Sequence, residues 1–231
     1  MNNTDEPVAA LVVAAGSGSR LGAAVPKALV ELDGVALVRR SVDAMVEGGV
    51  RHVVVTIPEG CQAAFERALE GVDVPLELVL GGQRRQDSVA NGLAALAHLG
   101  PGTVVLVHDA ARPLVPTDVV RGVTDAVRSG AEAVIPVVPV VDTVRSVQEN
   151  SSSVVDRSTL RAVQTPQGFR LGTLTRAHQV LAADGLDVTD DAAACEACGH
   201  EVRLVDGHRD ALKITEPIDL AVASAILAGR H

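Results

Sequence analysis

Two glycines, an arginine and a lysine stand close together in the stretch AAGSGSRLGAAVPKAL, Ala14 to Leu29, directly after an apolar run. Their chemistry is that of anion binding. Backbone N–H groups freed at Gly16 and Gly18 can approach a phosphate, while Arg20 and Lys27 add mobile positive charge around a triphosphate. The spacing fits neither of the two familiar phosphate loops. A dinucleotide fingerprint, G-x-G-x-x-G, fails by one residue because Gly22 follows Gly16 and Gly18 too late. A P-loop needs lysine straight after its last glycine, whereas Lys27 follows Pro26. The competing interpretation is an ordinary strand-to-helix loop with two surface cations.

Three further stretches carry candidate chemistry. In GGQRRQDSVANGL, Gly81 and Gly82 permit close backbone approach, Arg84 and Arg85 supply charge, and Ser88 falls at the start of an expected helix. Freed N–H groups there suit a base edge or an anion, and a helix cap with a solvated basic turn is the plainer alternative. HDAARP places Asp109 at a strand end, where a carboxylate can bind a hydroxyl or a metal, with Arg112 near enough to hold a phosphate. Thr189-Asp190-Asp191 fits a helix cap with acidic first-turn residues better than a metal cluster. Among 20 basic residues only Lys27 and Lys213 are lysine. A compact ammonium in an arginine-rich chain marks tight phosphate geometry, unless the distribution is chance.

Composition narrows the partners. The 231 residues are 47% hydrophobic and carry a formal charge of −9, enough to bury a core and too acidic for a long phosphate backbone, so no nucleic acid is expected. Phe65 and Phe169 are the whole aromatic inventory, which leaves no stacking platform for single strands. No apolar run is long enough to span a bilayer, and MNNTDEPVAA lacks the basic and apolar regions of a signal peptide. No membrane partner and a cytoplasmic location are therefore expected. Cys195 and Cys198 form a C-x-x-C pair without a second pair, inside the helical-looking AAACEAC; helix packing is favoured over a redox pair or half a zinc site.

These residues need a scaffold. Apolar, β-branched runs recur at LVVAA, HVVVTI, LELVL, VVLV and AVIPVV, each leading into a helical stretch or a loop. That alternation predicts an α/β fold with a mostly parallel sheet flanked by helices, its ligands outside the carboxyl ends of the strands. The regularity breaks after Pro139. From Val140 to about Thr165, two strand-like stretches flank the polar turn QENSSS, predicting a protruding β-hairpin arm too small to stand alone, of the kind that pairs with a second copy. Helices resume at Leu171, followed by a strand at EVRLV and a closing helix from about Glu216, so a single domain over residues 1–231 is expected.

Taken in order, AAGSGSRLGAAVPKAL, GGQRRQDSV, VHDAARP, DTV, VDRSTLRAVQTPQGF, TDDA and ALKITEPIDLA make a specific series covering nearly the whole chain. The sequence resembles the 2-C-methyl-D-erythritol 4-phosphate cytidylyltransferase family of the non-mevalonate isoprenoid pathway. The resemblance implies a Rossmann-like nucleotidyltransferase fold, CTP and a polyol phosphate as substrates, Mg2+ bound mainly through CTP phosphates, and a homodimer joined by the arm at about 140–165. It implies that Ala14, Ala15, Gly16, Ser17 and Gly18, with Gly82 and Ser88, form the cytidine and triphosphate pocket. Arg20 and Lys27 would neutralise charge at the reacting phosphorus. Asp109, Arg112, Thr165 and Lys213 would line the sugar-phosphate pocket, with Thr143 and Arg157 reaching in from the arm of the other subunit. The implied catalytic set is thus Arg20, Lys27, Arg157 and Lys213, with no protein metal ligand assigned. The family often has a second aromatic where this chain has Gly168. Two alternatives share the loops: a ribitol 5-phosphate cytidylyltransferase, and a nucleotide-binding regulator without turnover, which the presence of Arg20, Lys27 and Lys213 disfavours.

Overall fold

The structure is a computed structural model and describes residues 7–16, 18, 21–23, 25–149 and 151–229. The first part of the chain forms β1 (Val8–Val13), β2 (Glu31–Leu32), β3 (Val35–Ala36), α1 (Leu37–Glu47), β4 (His52–Ile57), α2 (Gln62–Ala68), β5 (Leu76–Leu80) and α3 (Arg85–Ala95). The middle forms β6 (Val104–Asp109), α4 (Thr117–Arg128), β7 (Ala133–Pro139), β8 (Val144–Gln148), β9 (Ser151–Val155), β10 (Arg161–Val163) and β11 (Gln167–Arg170). The chain closes with α5 (Leu171–Asp184), α6 (Asp191–Ala197), β12 (Val202–Asp206) and α7 (Pro217–Ala228).

Eight strands make the main sheet, in the order β10-β7-β11-β6-β1-β4-β5 with β12 also on β7. β1 runs parallel to β4 and β6, and β4 to β5. Side chains alternate between two cores. Ala10, Val12, Val53, Val55, Val104 and Leu106 face α1, α2 and α4, where Val42, Phe65 and Val123 meet them. Ala9, Leu11, Val54, Val105 and Val107 face α3, α5 and α6, against Leu93, Leu174 and Cys195. A sheet covered on both sides leaves its central strands no polar face, which is why they read as unbroken apolar runs. The two phenylalanines are shared out, Phe65 to one core and Phe169 to the other, each fully buried. Cys195 belongs to the second core, and burial pushes its thiol up to about 12, as expected of a packing residue rather than a reactive one.

To the mostly parallel sheet that was expected the structure adds two short antiparallel strands. β11 lies antiparallel between β6 and β7, and β10 antiparallel on β7, whereas β12 is parallel to β7. β10 and β11 are only 3 and 4 residues long, too short to show a period in the sequence. The arm is also smaller than its predicted span. β8 and β9 form a separate two-stranded sheet in which Gln148 pairs with Ser151, so the serines of QENSSS belong to a strand and not to the turn. The chain then passes back through Arg157–Thr159 into β10 of the main sheet.

Gly168 answers the question of the missing aromatic. A Cβ there would lie 2.5 Å from Val123 and 3.0 Å from Val127, so two valines of α4 occupy the space a side chain would need. Among the described residues, no helix is long and apolar enough to cross a membrane.

Candidate active site

The strand register fixes where the loops meet. Val13 is aligned with both Thr56 and Asp109, and Ile57 with Leu80, so β1, β4, β5 and β6 reach their carboxyl ends at one edge. Open α/β sheets bind ligands at that edge. A cavity of about 490 Å3 lies there, of the size that takes a small-molecule ligand. Ala14, Ala15, Gly16 and Gly18 line it from the loop after β1, and Lys27 follows them. Gly82 and Ser88 line it from the loop after β5, Asp109 from the end of β6, and Lys213 from the loop before α7. Ser17 and Arg20 lie outside the described residues.

Local packing explains the loop residues. Gly18 has φ of +61°, in the left-handed region, and a Cβ on it would come 2.3 Å from the Cβ of Lys27. The glycine therefore lets the Lys27 stem pass across the loop toward the cavity. The Gly82 N–H donates to Ser88 Oγ at 3.0 Å, and the Ser88 hydroxyl donates to the Arg84 carbonyl at 3.2 Å. Ser88 thus clips the loop to α3 from inside the helix. Arg84 stands at the cap position, its backbone N–H and its guanidinium both donating to the Asp87 carboxylate, and it also pairs with Asp187 at 2.5 Å.

Asp109 is the electrostatic centre of the wall. Its Oδ2 accepts from Lys213 Nζ at 2.7 Å and its Oδ1 from Arg85 Nε at 3.3 Å. Burial by itself would raise this carboxyl, but Arg85 and Lys213 outweigh it and hold the group well below the usual carboxylate range. Burial likewise opposes the Arg85 charge, and Asp191 with Asp109 more than offsets it, so that guanidinium stays firmly protonated.

Two predicted residues stand behind the wall and not on it. The Arg112 guanidinium donates to the Ala211 carbonyl at 2.7 Å and to the Val163 carbonyl at 3.2 Å, joining β10 to the segment that carries Lys213. Those bonds turn its fork away from the cavity. Thr165 is buried, with its Oγ1 accepting from the Asp109 N–H at 3.1 Å and paired with His108 Nδ1 at 3.0 Å. His108 Nε2 meets the Arg112 carbonyl at 3.2 Å. A carbonyl only accepts, so the imidazole proton sits on Nε2 and Thr165 donates to Nδ1. Burial pushes His108 down to about 4, which keeps it neutral and this buttress intact.

Thr143 and Arg157 do not line the cavity of their own chain; both are exposed in the arm region, where the Arg157 guanidinium donates to the Val141 carbonyl. Gln83, Arg84, Arg85 and Thr215 also line it; the sequence offered Arg84 and Arg85 as sources of charge without putting them in the site set, and it passed over Gln83 and Thr215. For Arg85 the signal was present in the RR pair: Arg84 is 54% exposed at its side chain while Arg85, the first residue of α3, points inward between two carboxylates. Among the described residues, no group of three or more His, Cys, Asp or Glu is arranged to hold a metal ion. Among the described residues, Asp109 is the one carboxylate that lines the cavity, and Lys213 and Arg85 already engage it. That lining suits a magnesium ion held mainly by nucleotide phosphates and water.

The model of the family described as 2-C-methyl-D-erythritol 4-phosphate cytidylyltransferase matches residues 8–229. A protein of that name from Saccharopolyspora erythraea is 49% identical over 225 residues, covering 96% of this chain and 99% of the relative. One from Streptomyces avermitilis is 45% identical over 96% of this chain and 92% of its own. Among solved structures, 2-C-methyl-D-erythritol 4-phosphate cytidylyltransferase from Thermus thermophilus superposes with a TM-score of 0.78 at 35% identity, covering 94% of this chain and 98% of the other. The 4-diphosphocytidyl-2C-methyl-D-erythritol synthase of Anaerococcus prevotii gives a TM-score of 0.84 at 26% identity, over 96% and 99%.

Proposed function

The chain belongs to the 2-C-methyl-D-erythritol 4-phosphate cytidylyltransferase family, and we propose that the cavity at the carboxyl edge of its sheet is where the two substrates of that reaction meet. The enzyme transfers the cytidylyl group of CTP to 2-C-methyl-D-erythritol 4-phosphate, giving 4-diphosphocytidyl-2-C-methyl-D-erythritol and pyrophosphate in isoprenoid precursor biosynthesis. The observation that carries the site is the convergence of the two lysines of the chain, Lys27 and Lys213, on one cavity that Ala14, Ala15, Gly16 and Gly18 also line.

A phosphate oxygen of methylerythritol phosphate attacks the α-phosphorus of CTP in line. The new P–O bond forms as the bond from that phosphorus to the bridging oxygen breaks, and the electron pair leaves with pyrophosphate. A substrate phosphate is already a competent nucleophile, so no covalent enzyme intermediate is needed. What remains is positioning two anions together and stabilising a charge-rich transition state. Ala14 to Gly18 hold the nucleotide, with Gly82 and Ser88 keeping the opposite loop in shape. Lys27, joined by Arg20, neutralises charge at the reacting phosphorus. Asp109 and Lys213 face the sugar phosphate, supported from behind by Arg112 and Thr165. Mg2+, when bound through the CTP phosphates, would supply further charge neutralisation there.

The site is completed by a second copy. Val147 and Val154 are 79% and 62% exposed on the β8–β9 hairpin, apolar surface that a lone two-stranded ribbon cannot bury. In the homodimer the partner subunit covers those valines, and the arm brings Thr143 and Arg157 to the partner's cavity. The whole chain acts as one cytoplasmic nucleotidyltransferase domain without a nucleic-acid or membrane partner, in keeping with its charge of −9.

The test is pyrophosphate release from CTP in the presence of methylerythritol phosphate or ribitol 5-phosphate, assayed side by side. Turnover is expected with the first at a rate well above that with the second. Equal or reversed preference would overturn the substrate assignment, and no release with either would overturn the activity.

A further inference from the structure

Asp191 is 1% exposed and lies outside the cavity, yet it is an ionisable side chain with both oxygens engaged. Its Oδ2 accepts from Arg85 Nη1 at 2.7 Å, and its Oδ1 lies 3.1 Å from Nε2 of His178, itself buried on α5. Helix capping does not account for it. Asp190 caps α6, accepting from the Ala193 N–H at 2.9 Å with Oδ1 and from Gln167 Nε2 at 2.8 Å with Oδ2. Gln167 in turn accepts at its Oε1 from the Ala192 N–H at 3.2 Å, so the first turn of α6 is already stapled to β11. A buried carboxylate is expensive unless it is paired, and an apolar residue at such a place is often as stable or more so.

Its connections run toward the reaction. From His178 the chain of contacts passes to Asp191, then Arg85, then Asp109, then Lys213, crossing from α5 to the cavity in four hydrogen-bonded steps. Arg85 is the hinge of this series. With one carboxylate its guanidinium could swing about a single contact; with Asp191 on Nη1 and Asp109 on Nε it has one orientation.

We infer that Asp191 is a positioning residue for cytidylyl transfer: acting through Arg85, it sets the orientation of Asp109 and thereby of Lys213 toward the sugar phosphate. The inference rests on the function proposed above and adds to it a residue that touches neither substrate. Because the series ends on the sugar-phosphate side of the cavity, its failure should spare the nucleotide.

Asp191→Asn keeps the volume and leaves the Asp190 cap in place, and Arg85→Lys keeps a charge that cannot bridge both carboxylates. In each, KM for methylerythritol phosphate is expected to rise about tenfold and kcat to fall about tenfold, with KM for CTP within about twofold of wild type, as for a small misplacement of a reacting group. A purely structural role would lower the active fraction and leave both KM values unchanged. The double variant Arg85→Lys/Asp191→Asn should lose little more than Arg85→Lys alone, because both changes break one series. Folded variants with wild-type constants, equal changes in both KM values, or losses that multiply in the double variant would overturn the inference. Wild-type protein that releases no pyrophosphate would remove the function and the inference together, which a working wild type beside an unaffected Asp191→Asn would not.

Discussion

Replacing Lys27 by alanine separates a transition-state role from a folding role. The side chain begins the short turn Lys27–Leu29 and is half-buried where its stem crosses Gly18. Alanine keeps the Cβ that packs on that glycine, so the loss of stem contacts should cost about 1 kcal/mol or less, a Tm shift of roughly 2–4 °C in a chain of this size. The charge is a larger matter. A unit charge about 4 Å from a developing negative charge is worth roughly 4 kcal/mol at the effective dielectric of a partly open site. Removal of one such stabilising group lowers kcat by about a hundredfold to a thousandfold, or roughly 3–4 kcal/mol of barrier. Initial rates of pyrophosphate release at saturating CTP and methylerythritol phosphate, beside a melting curve for each protein, give both quantities. Lys27→Arg should also be impaired, because the planar fork is wider than the ammonium it replaces. A folded Lys27→Ala variant with wild-type kcat, or one whose whole defect lay in KM for CTP, would refute the transition-state role.

Other consequences are as direct. Gly18→Ala places a Cβ 2.3 Å from that of Lys27 in a left-handed backbone, so kcat should fall at least about tenfold and Tm by roughly 2–8 °C, read by the same assay; wild-type turnover would show that the loop can move aside at no cost. Asp109 has a folded pKa below its unfolded value of about 3.9, so its contribution to stability is complete above that pH and is lost as pH falls toward the folded value. Chemical denaturation at a series of pH values should therefore give Asp109→Asn a shallower decline than wild type below about pH 4, and parallel curves would contradict the ion pairing. Arg157→Ala and Lys27→Ala chains, each nearly inactive alone, should recover up to about a quarter of wild-type sites when mixed, since roughly half of the dimers are mixed and each restores one site. Demonstrated heterodimers without recovery would place Arg157 in its own chain's site or make the arm a clamp alone.

The sequence was most informative where backbone geometry and rare residue types coincide. The strand runs before Ala14, Gly81 and Ala110 announced which loops share an edge, because a parallel sheet covered on both faces writes its strands as uninterrupted apolar stretches. Lys27 and Lys213 stood out by type, and the cavity brings both to its wall. Short-range pattern could not show what depends on contacts between distant segments. β11 has four residues and no readable period, and β10 pairs with β7 across the whole arm. The inward turn of Arg85 requires Asp191, 106 positions away, and the more exposed Arg84, at the same cavity, is held by Asp87 and Asp187. Arg112 was read as able to hold a phosphate, and Thr165 entered only through the resemblance; the fold spends their bonds on carbonyls, His108 and the strand end, behind the cavity wall. Ser17 and Arg20 lie outside the described residues, so their part in the site stays with the resemblance that named them.

An acidic chain with a cationic cavity poses a problem of restraint. Lys27, Lys213 and Arg85 brought together without a counter-charge would repel one another and would bind any anion tightly. Asp109 changes both conditions. Almost buried and firmly ionised, it holds Lys213 and Arg85 in place before substrate arrives, which is preorganisation. It also competes with a substrate phosphate for the same ammonium, so ground-state binding is weakened by the interaction that keeps Lys213 oriented. In the function proposed above, the charge that builds at the transferring group falls to Lys27 and Arg20, and the Asp109–Lys213 pair serves to orient the attacking phosphate. An ammonium already fixed by its carboxylate loses no further freedom when that phosphate arrives, so the attacking group is aligned at less entropic cost.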